Sequence, residues 1–228
     1  MRQGGSVLDF GLYVITCSVP ELGRDHIDVA AAAIEGGANA VQLRIKRRSM
    51  GEALKIAREI HKMTQAAGIP LIINDHVGIA MASQAEGLHV GPDDLPVAAA
   101  IRMLGRGKIV GKSAARHDEV RKAELEGAAY VGVGPVFRTA TKPGKLPIGL
   151  ARISKIKALA SVPVIAIGGI DAGNLSECVA AGADGVAVVS AVAMAEDMIA
   201  ATRKLRQALD RARLRQPVPK KSRSAAQG

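Results

Sequence analysis

One junction recurs along this chain and narrows its fold more than any other feature. Glu35-Gly-Gly-Ala-Asn-Ala-Val41, Glu126-Gly-Ala-Ala-Tyr-Val131 and Ala181-Gly-Ala-Asp-Gly-Val186 all read as helix end, glycine, small residue, strand. Glycine supplies the left-handed conformation that closes a helix, so each stretch is an αβ turn. A chain that repeats this turn is assembled from βα units. Between the turns, apolar runs of strand length alternate with segments of helical period.

The expected strands are Leu12–Thr16, Ala40–Ile45, Pro70–Asn74, Gly87–Val90, Lys108–Lys112, Tyr130–Val133, Val162–Ile167 and Asp184–Val189. The expected helices run from about Asp25 to Glu35, Gly51 to Ala67, Val77 to Ser83, Pro96 onward, His117 to Glu126, Leu150 to Leu159, Ala172 or Gly173 to Ala181, and Ala193 to about Arg213. About eight βα units in 228 residues, with no linker among them, predict an α/β fold, a single-domain (β/α)8 TIM barrel. A doubly wound open sheet is the alternative, weakened because no Gly-x-Gly-x-x-Gly follows the first strand. Residues 1–10 read as an N-terminal extension, 11–213 as the barrel, and 214–228 as a basic tail expected to be disordered.

Composition agrees with this architecture. The aromatic residues are Phe10, Tyr13, Tyr130 and Phe137, so the core must consist of Ala, Val, Ile and Leu, as in parallel α/β proteins. The net charge of +10 is concentrated at one end. Residues 203–228 hold nine basic residues and one acid, leaving +2 for the rest. Without aromatic platforms or a reading motif, that charge gives no reason to expect nucleic acid as a partner. Cys17 and Cys178 match neither a metal spacing nor a disulfide framework. No secretory leader or membrane-length apolar run is evident, so a cytoplasmic protein without a membrane partner is expected. Oligomeric state is not readable.

In a barrel the chemistry lies at the C-terminal ends of the strands. The second strand brings Gln42, Arg44 and Lys46 there, alternating with Val41, Leu43 and Ile45, so that the polar three share one face. The third ends in Asn74-Asp75 and the fourth leads to Asp93-Asp94. Asp75 and Asp94 suit Mg2+, which takes a few carboxylates and completes its shell with water and substrate phosphates. Each can also be read as a helix cap. The fifth strand leads to Ser113. The sixth breaks at Gly134-Pro135 into a loop with Thr139, Thr141 and Lys142, hydroxyls and a compact positive charge suited to phosphate. The seventh and eighth end in Gly168-Gly169 and Val189-Ser190, read as two neighbouring helix starts that gather backbone N–H groups for an anion. Of the histidines, His76 and His89 fall near strand ends and His26, His61 and His117 on helices. None has a metal spacing, and His89 reads as a packed strand residue. No nucleophile–base pair is evident, which argues against acyl transfer. The residues therefore describe a site for a metal-chelated diphosphate beside a second, single phosphate.

At these residues the chain resembles the thiamine phosphate synthase family. The motifs occur in order: Gln42-Leu-Arg-Ile-Lys46, Asn74-Asp75, Gly87-Leu-His-Val-Gly-Pro-Asp-Asp-Leu-Pro96, Gly111-Lys-Ser113, Tyr130 through Lys142, Ala166-Ile-Gly-Gly-Ile170 and Gly182 through Ser190. The resemblance covers about Leu12 to Met198. It implies a transferase of thiamine biosynthesis that couples hydroxymethylpyrimidine diphosphate to hydroxyethylthiazole phosphate, releasing pyrophosphate. Gln42 would then contact the pyrimidine side. Arg44, Lys46, Asn74 and Lys142 would hold the diphosphate, Asp75 and Asp94 would bind Mg2+, and Ser113 would assist the leaving group. Thr139, Thr141, Gly169, Val189 and Ser190 would hold the thiazole phosphate. The implied mechanism is dissociative, the diphosphate leaving before the thiazole nitrogen attacks.

The chain departs from that pattern at Ile45, His76, Pro92 and Ala115, where the family often has Glu, Arg, Gln and His. A thiazole tautomerase on the same barrel is a second reading. It would need a general acid–base group, and its family uses the histidine that Ala115 replaces here. A non-catalytic binder of phosphorylated metabolites is a third.

Overall fold

The computed structural model describes residues 9–139, 144 and 146–216. Eight parallel strands close into a barrel in sequence order: β1 (Leu12–Ile15), β2 (Ala40–Leu43), β3 (Leu71–Asn74), β4 (Gly87–Val90), β5 (Ile109–Ser113), β6 (Tyr130–Val133), β7 (Val164–Ile167) and β8 (Gly185–Val188). The seam closes where β8 pairs with β1, Leu12 opposite Val186 and Val14 opposite Val188. The helices are α1 (His26–Glu35), α2 (Met50–Ala66), α3 (Val77–Ser83), α4 (Val97–Leu104), α5 (His117–Leu125), α6 (Leu150–Lys157), α7 (Leu175–Ala180), α8 (Ser190–Ala193) and α9 (Met198–Leu214). A 3-10 turn at Pro20–Leu22 follows β1. The TIM-barrel expectation is met.

Local chemistry explains where several elements begin. Asp25 and Asp28 form a reciprocal capping box at α1, and Ser49 with Glu52 does the same at α2. Both satisfy N–H groups that have no partner inside a helix. β7 starts at Val164 rather than Val162, since Pro163 has no N–H to give a ladder. α7 starts later than expected, at Leu175. Asp171 Oδ1 accepts the Gly173 N–H at 2.7 Å, and Asn174 Oδ1 accepts the Asp171 N–H at 2.9 Å. These side-chain bonds hold residues 171–174 in a turn that competes with helix.

The last helix, expected from Ala193, begins only at Met198, and a short additional helix, α8, ends at Ala193. Asp197 caps α9 by accepting the Ala200 N–H at 2.9 Å. The Arg24 guanidinium donates to the carbonyls of Ala193, Ala195 and Glu196, which relieves the end of α8. Phe10, assigned to the extension, packs inside the barrel with its ring centroid 4.4 Å from that of Tyr130. At the other end, α9 runs to Leu214, and Gln216 donates to the Val179 carbonyl. Residues 217–228 of the expected tail lie outside the described residues.

Strand alternation divides the interior into two environments. Leu12, Val14, Val41, Leu43, Leu71, Ile73, Leu88, Val90, Val131 and Val133 face outward into one aliphatic layer shared with the helices. Burial of that layer is the main force holding helices to barrel. The inward positions form a second cluster around Phe10, Tyr13, Ile72, Tyr130 and Ile165. Gly111 on β5 makes the room: a Cβ there would run into the Tyr130 ring.

Candidate active site

An open cavity of about 220 Å3 lies within the barrel, reaching the loops beyond the C-terminal strand ends. Gln42, Arg44, Asn74, Ser113, Thr139, Gly169, Val189 and Ser190 all line it. Ile15, Ile165, Ile167 and Ala187 give it an apolar wall. The strand parity read from Gln42 and Arg44 thus puts both side chains inside the barrel. Lys46 stands beyond the strand end, exposed at the rim.

Lys46 Nζ lies 2.6 Å from Asp75 Oδ2. Asp75 itself adopts φ 62°, a left-handed conformation that is uncommon outside glycine and costs backbone energy. Its N–H donates to the His89 carbonyl at 2.9 Å, while the next N–H, of His76, turns back to the Asn74 carbonyl at 2.7 Å. The tight turn brings the carboxylate to the rim beside Lys46 and Asp94. Asp94 Oδ2 accepts the Gly91 N–H at 2.7 Å. Neither aspartate caps a helix: α3 has His76 and α4 has Pro96 at the cap, without side-chain bonds.

The two carboxyls are neighbours that shift one another's titration. Burial pushes the Asp75 carboxyl up, but the bonds from Asp94, Lys46 and Asn74 outweigh it and hold Asp75 below the ordinary aspartate value. Loss of solvent, then the neighbouring Asp75, holds Asp94 above it. The two carboxyls thus crowd negative charge at one point of the rim. Among the described residues no group of three or more His, Cys, Asp or Glu is poised to hold a metal.

Across the mouth the chain uses backbone and small groups. Gly168 and Gly169 have φ of 99° and 69°. A Cβ on Gly169 would strike the Arg138 carbonyl, so the loop after β6 lies directly on this turn. Asn174 Nδ2 donates to the Gly169 carbonyl at 2.9 Å and braces it. Ser190 opens α8 immediately after β8. Of the two helix starts expected here, only that of α8 abuts its strand; α7 begins beyond the turn held by Asp171. Thr139 reaches the cavity, whereas Thr141 and Lys142 lie outside the described residues.

Sequence reasoning missed the floor. His89, read as a packed strand residue, lines the cavity and bonds through both ring nitrogens: Nδ1 is 2.9 Å from the Tyr130 hydroxyl and Nε2 is 2.9 Å from Ser113 Oγ. A serine–histidine contact therefore exists where none was evident. Its orienting partner is a phenol, not the carboxylate of a hydrolytic triad. Tyr130 meets the Tyr13 hydroxyl at 3.0 Å, and Gln42 Nε2 donates to Tyr13 at 2.7 Å. Inward parity of the polar residues on β1, β2, β4, β5 and β6 is the signal that could have found them. Of the departures noted above, Pro92 and Ala115 line the cavity. Ala115 presents only a methyl group where an acid–base histidine would be needed.

A family model described as thiamine monophosphate synthase matches residues 12–192. A thiamine-phosphate synthase of Chloroflexus aurantiacus is 47% identical over 201 residues, covering 88% of this chain and 93% of that protein. One of Moorella thermoacetica is 44% identical over 203 residues, covering 89% and 97%. The solved thiamine phosphate pyrophosphorylase of Pyrococcus furiosus superposes with a TM-score of 0.82 at 36% identity, covering 90% of this chain and 98% of its own. A 3-hexulose-6-phosphate synthase at 19% identity and a TM-score of 0.68 shares the fold. No helix among the described residues is long and apolar enough to cross a membrane.

Proposed function

The chain belongs to the thiamine monophosphate synthase family and has that family's transferase activity, and from that premise we propose how the residues at its barrel mouth divide the work. The substrates are a hydroxymethylpyrimidine diphosphate and a hydroxyethylthiazole phosphate. The bond from the pyrimidine methylene carbon to the diphosphate oxygen breaks, and its electron pair leaves with the diphosphate. The thiazole nitrogen then gives its lone pair to the methylene carbon, yielding thiamine phosphate and pyrophosphate.

The observation that carries this assignment is the opposition across one cavity of a cationic, carboxylate-bearing rim and a rim of glycine and serine. Arg44, Lys46, Asn74 and Lys142 would hold the diphosphate, and Ser113 would donate to it as negative charge builds. Donors fixed in advance at such a point stabilise the transition state without reorganising. Gln42 would orient the pyrimidine. Thr139, Thr141, Gly169, Val189 and Ser190 would hold the thiazole phosphate.

The donor set at the rim fits Mg2+. Two adjoining carboxyls, one held below and one above the ordinary aspartate value, suit a hard cation with oxygen ligands, and two protein ligands leave room for water and substrate oxygens. Asp75 and Asp94 would hold it, and when bound it supplies positive charge that neutralises the departing diphosphate. Lys46, already paired to Asp75, would bridge cation site and diphosphate.

The testing experiment is a pyrophosphate-release assay with both substrates. Release one-for-one with thiamine phosphate, dependent on Mg2+, is expected. Isomerisation of a thiazole carboxylate phosphate without Mg2+, and without pyrophosphate, would overturn this reading.

A further inference from the structure

We propose that Tyr13, Tyr130 and His89 are positioning residues, forming with Gln42 a one-way hydrogen-bonded chain that turns the Ser113 hydroxyl into a fixed donor facing the cavity. This inference rests on the reading of Ser113 as the group that meets the leaving diphosphate.

The chain has four links: Gln42 Nε2 to the Tyr13 hydroxyl at 2.7 Å, Tyr13 to Tyr130 at 3.0 Å, Tyr130 to His89 Nδ1 at 2.9 Å, and His89 Nε2 to Ser113 Oγ at 2.9 Å. Every interior member has one proton to give along it. A phenol donates one and accepts, and a neutral imidazole donates from one nitrogen and accepts at the other. In the proposed chain each of these protons is given to the next member rather than to the cavity, so that all links run the same way. The end at Gln42 sets the direction, because an amide nitrogen can only donate. Tyr13 then donates to Tyr130, Tyr130 to His89 Nδ1, and His89 from Nε2 to Ser113. The Ser113 proton is left for the cavity that this residue lines.

The opposite polarity would give a different enzyme. If Ser113 donated to a bare Nε2, His89 would be its base and Ser113 a nucleophile for acyl transfer. The surroundings oppose that arrangement. Tyr13 and Tyr130 are 1% and 0% exposed, and Gln42 is 2% exposed, so bulk water does not reach the two links that join these three to reverse one. Burial also raises both phenols far above their ordinary values, keeping their protons in place. The Phe10 ring lies over Tyr130 with centroids 4.4 Å apart, and Gly111 and Gly132 leave the space that Tyr130 and His89 occupy.

Two measurements on the intact protein test the proposal. The first is long-range 15N spectroscopy of histidine-labelled wild type, with His89 assigned by its loss in His89→Gln. The expected spectrum has the proton on Nε2 and a bare Nδ1; a proton on Nδ1 would overturn the proposal without any variant having to fold. The second is a double-mutant cycle read by single-turnover pyrophosphate release. Tyr130→Phe is expected to slow release by roughly 10-fold, with KM for the pyrimidine diphosphate nearly unchanged, and Ser113→Ala by roughly 100-fold. In the Ser113→Ala background, Tyr130→Phe should add no further loss, because its effect passes through the serine. Ser113→Thr, which keeps a hydroxyl, should restore sensitivity to Tyr130→Phe. Losses that multiply would show that Tyr130 acts elsewhere. A wild type that releases no pyrophosphate would refute the synthase reading instead, while the spectrum would still report the polarity of the chain.

Discussion

The two sides of the barrel mouth are built from different materials. On the side of β2, β3 and β4 the groups are charged side chains: Arg44 inside, Lys46 paired with Asp75 at 2.6 Å, and Asp94 against Asp75. On the side of β7 and β8 they are backbone and small residues: Gly168 and Gly169, lying against the loop after β6, and Ser190. In the proposed reading this matches what each side must do. A group that departs with growing negative charge needs strong, cation-assisted stabilisation in the transition state. A phosphate that stays bound throughout needs only a neutral, fixed cradle. Substitutions on the two sides should therefore fail in different ways.

The largest expected effect is that of Asp94→Ala, which should abolish turnover at any practical Mg2+ concentration while leaving thiazole phosphate affinity intact. The fold should survive, since Asp94 loses a hydrogen bond from the Gly91 N–H, worth about 1 kcal/mol, and a contact with the neighbouring Asp75 carboxyl at the rim. Substantial turnover by this variant would remove Asp94 from the metal site. Lys142→Ala should slow single-turnover pyrophosphate release by roughly 100-fold, the scale of one preorganised donor. A comparable loss of thiazole phosphate affinity would move Lys142 to the other side of the mouth.

Gly169→Ala should do the reverse. A Cβ at φ 69°, directed at the Arg138 carbonyl, forces the turn to shift. Strain on the order of 1–3 kcal/mol would appear as a KM for thiazole phosphate raised roughly 10-fold, with the bond-breaking rate of saturated enzyme little changed. A rate defect at unchanged KM would break the division between the two sides. The smallest effect is expected from deleting residues 217–228. The last described contact, from Gln216 to Val179, remains, so melting temperature and both KM values should hold. A shift in one KM alone would assign the tail to that side.

The charged side was legible in the sequence because it is written in residue types. Gln42, Arg44 and Lys46 alternate with Val41, Leu43 and Ile45, and period two needs no tertiary information. The outward layer was legible for the same reason. What stayed hidden depends on contacts across the barrel. Gln42 finds Tyr13 from 29 residues away, and His89 finds Ser113 from 24, through a register that only closure of the barrel sets. The start of α7 was misplaced because Asp171 and Asn174 bond to each other rather than to a helix. The break between α8 and α9 was missed because its carbonyls are met by Arg24, far away in the chain. Asp75 and Asp94 could be read either as caps or as a metal pair. The positive φ of Asp75, which brings it to the rim, is not encoded in any spacing.

The division of the mouth is tested most directly by calorimetric titration of each substrate alone, with and without Mg2+. The expected result is that the pyrimidine diphosphate binds tightly only when Mg2+ is present, while thiazole phosphate binds equally well in its absence. Mg2+-independent binding of the diphosphate, or a thiazole phosphate affinity that rises with Mg2+, would contradict it.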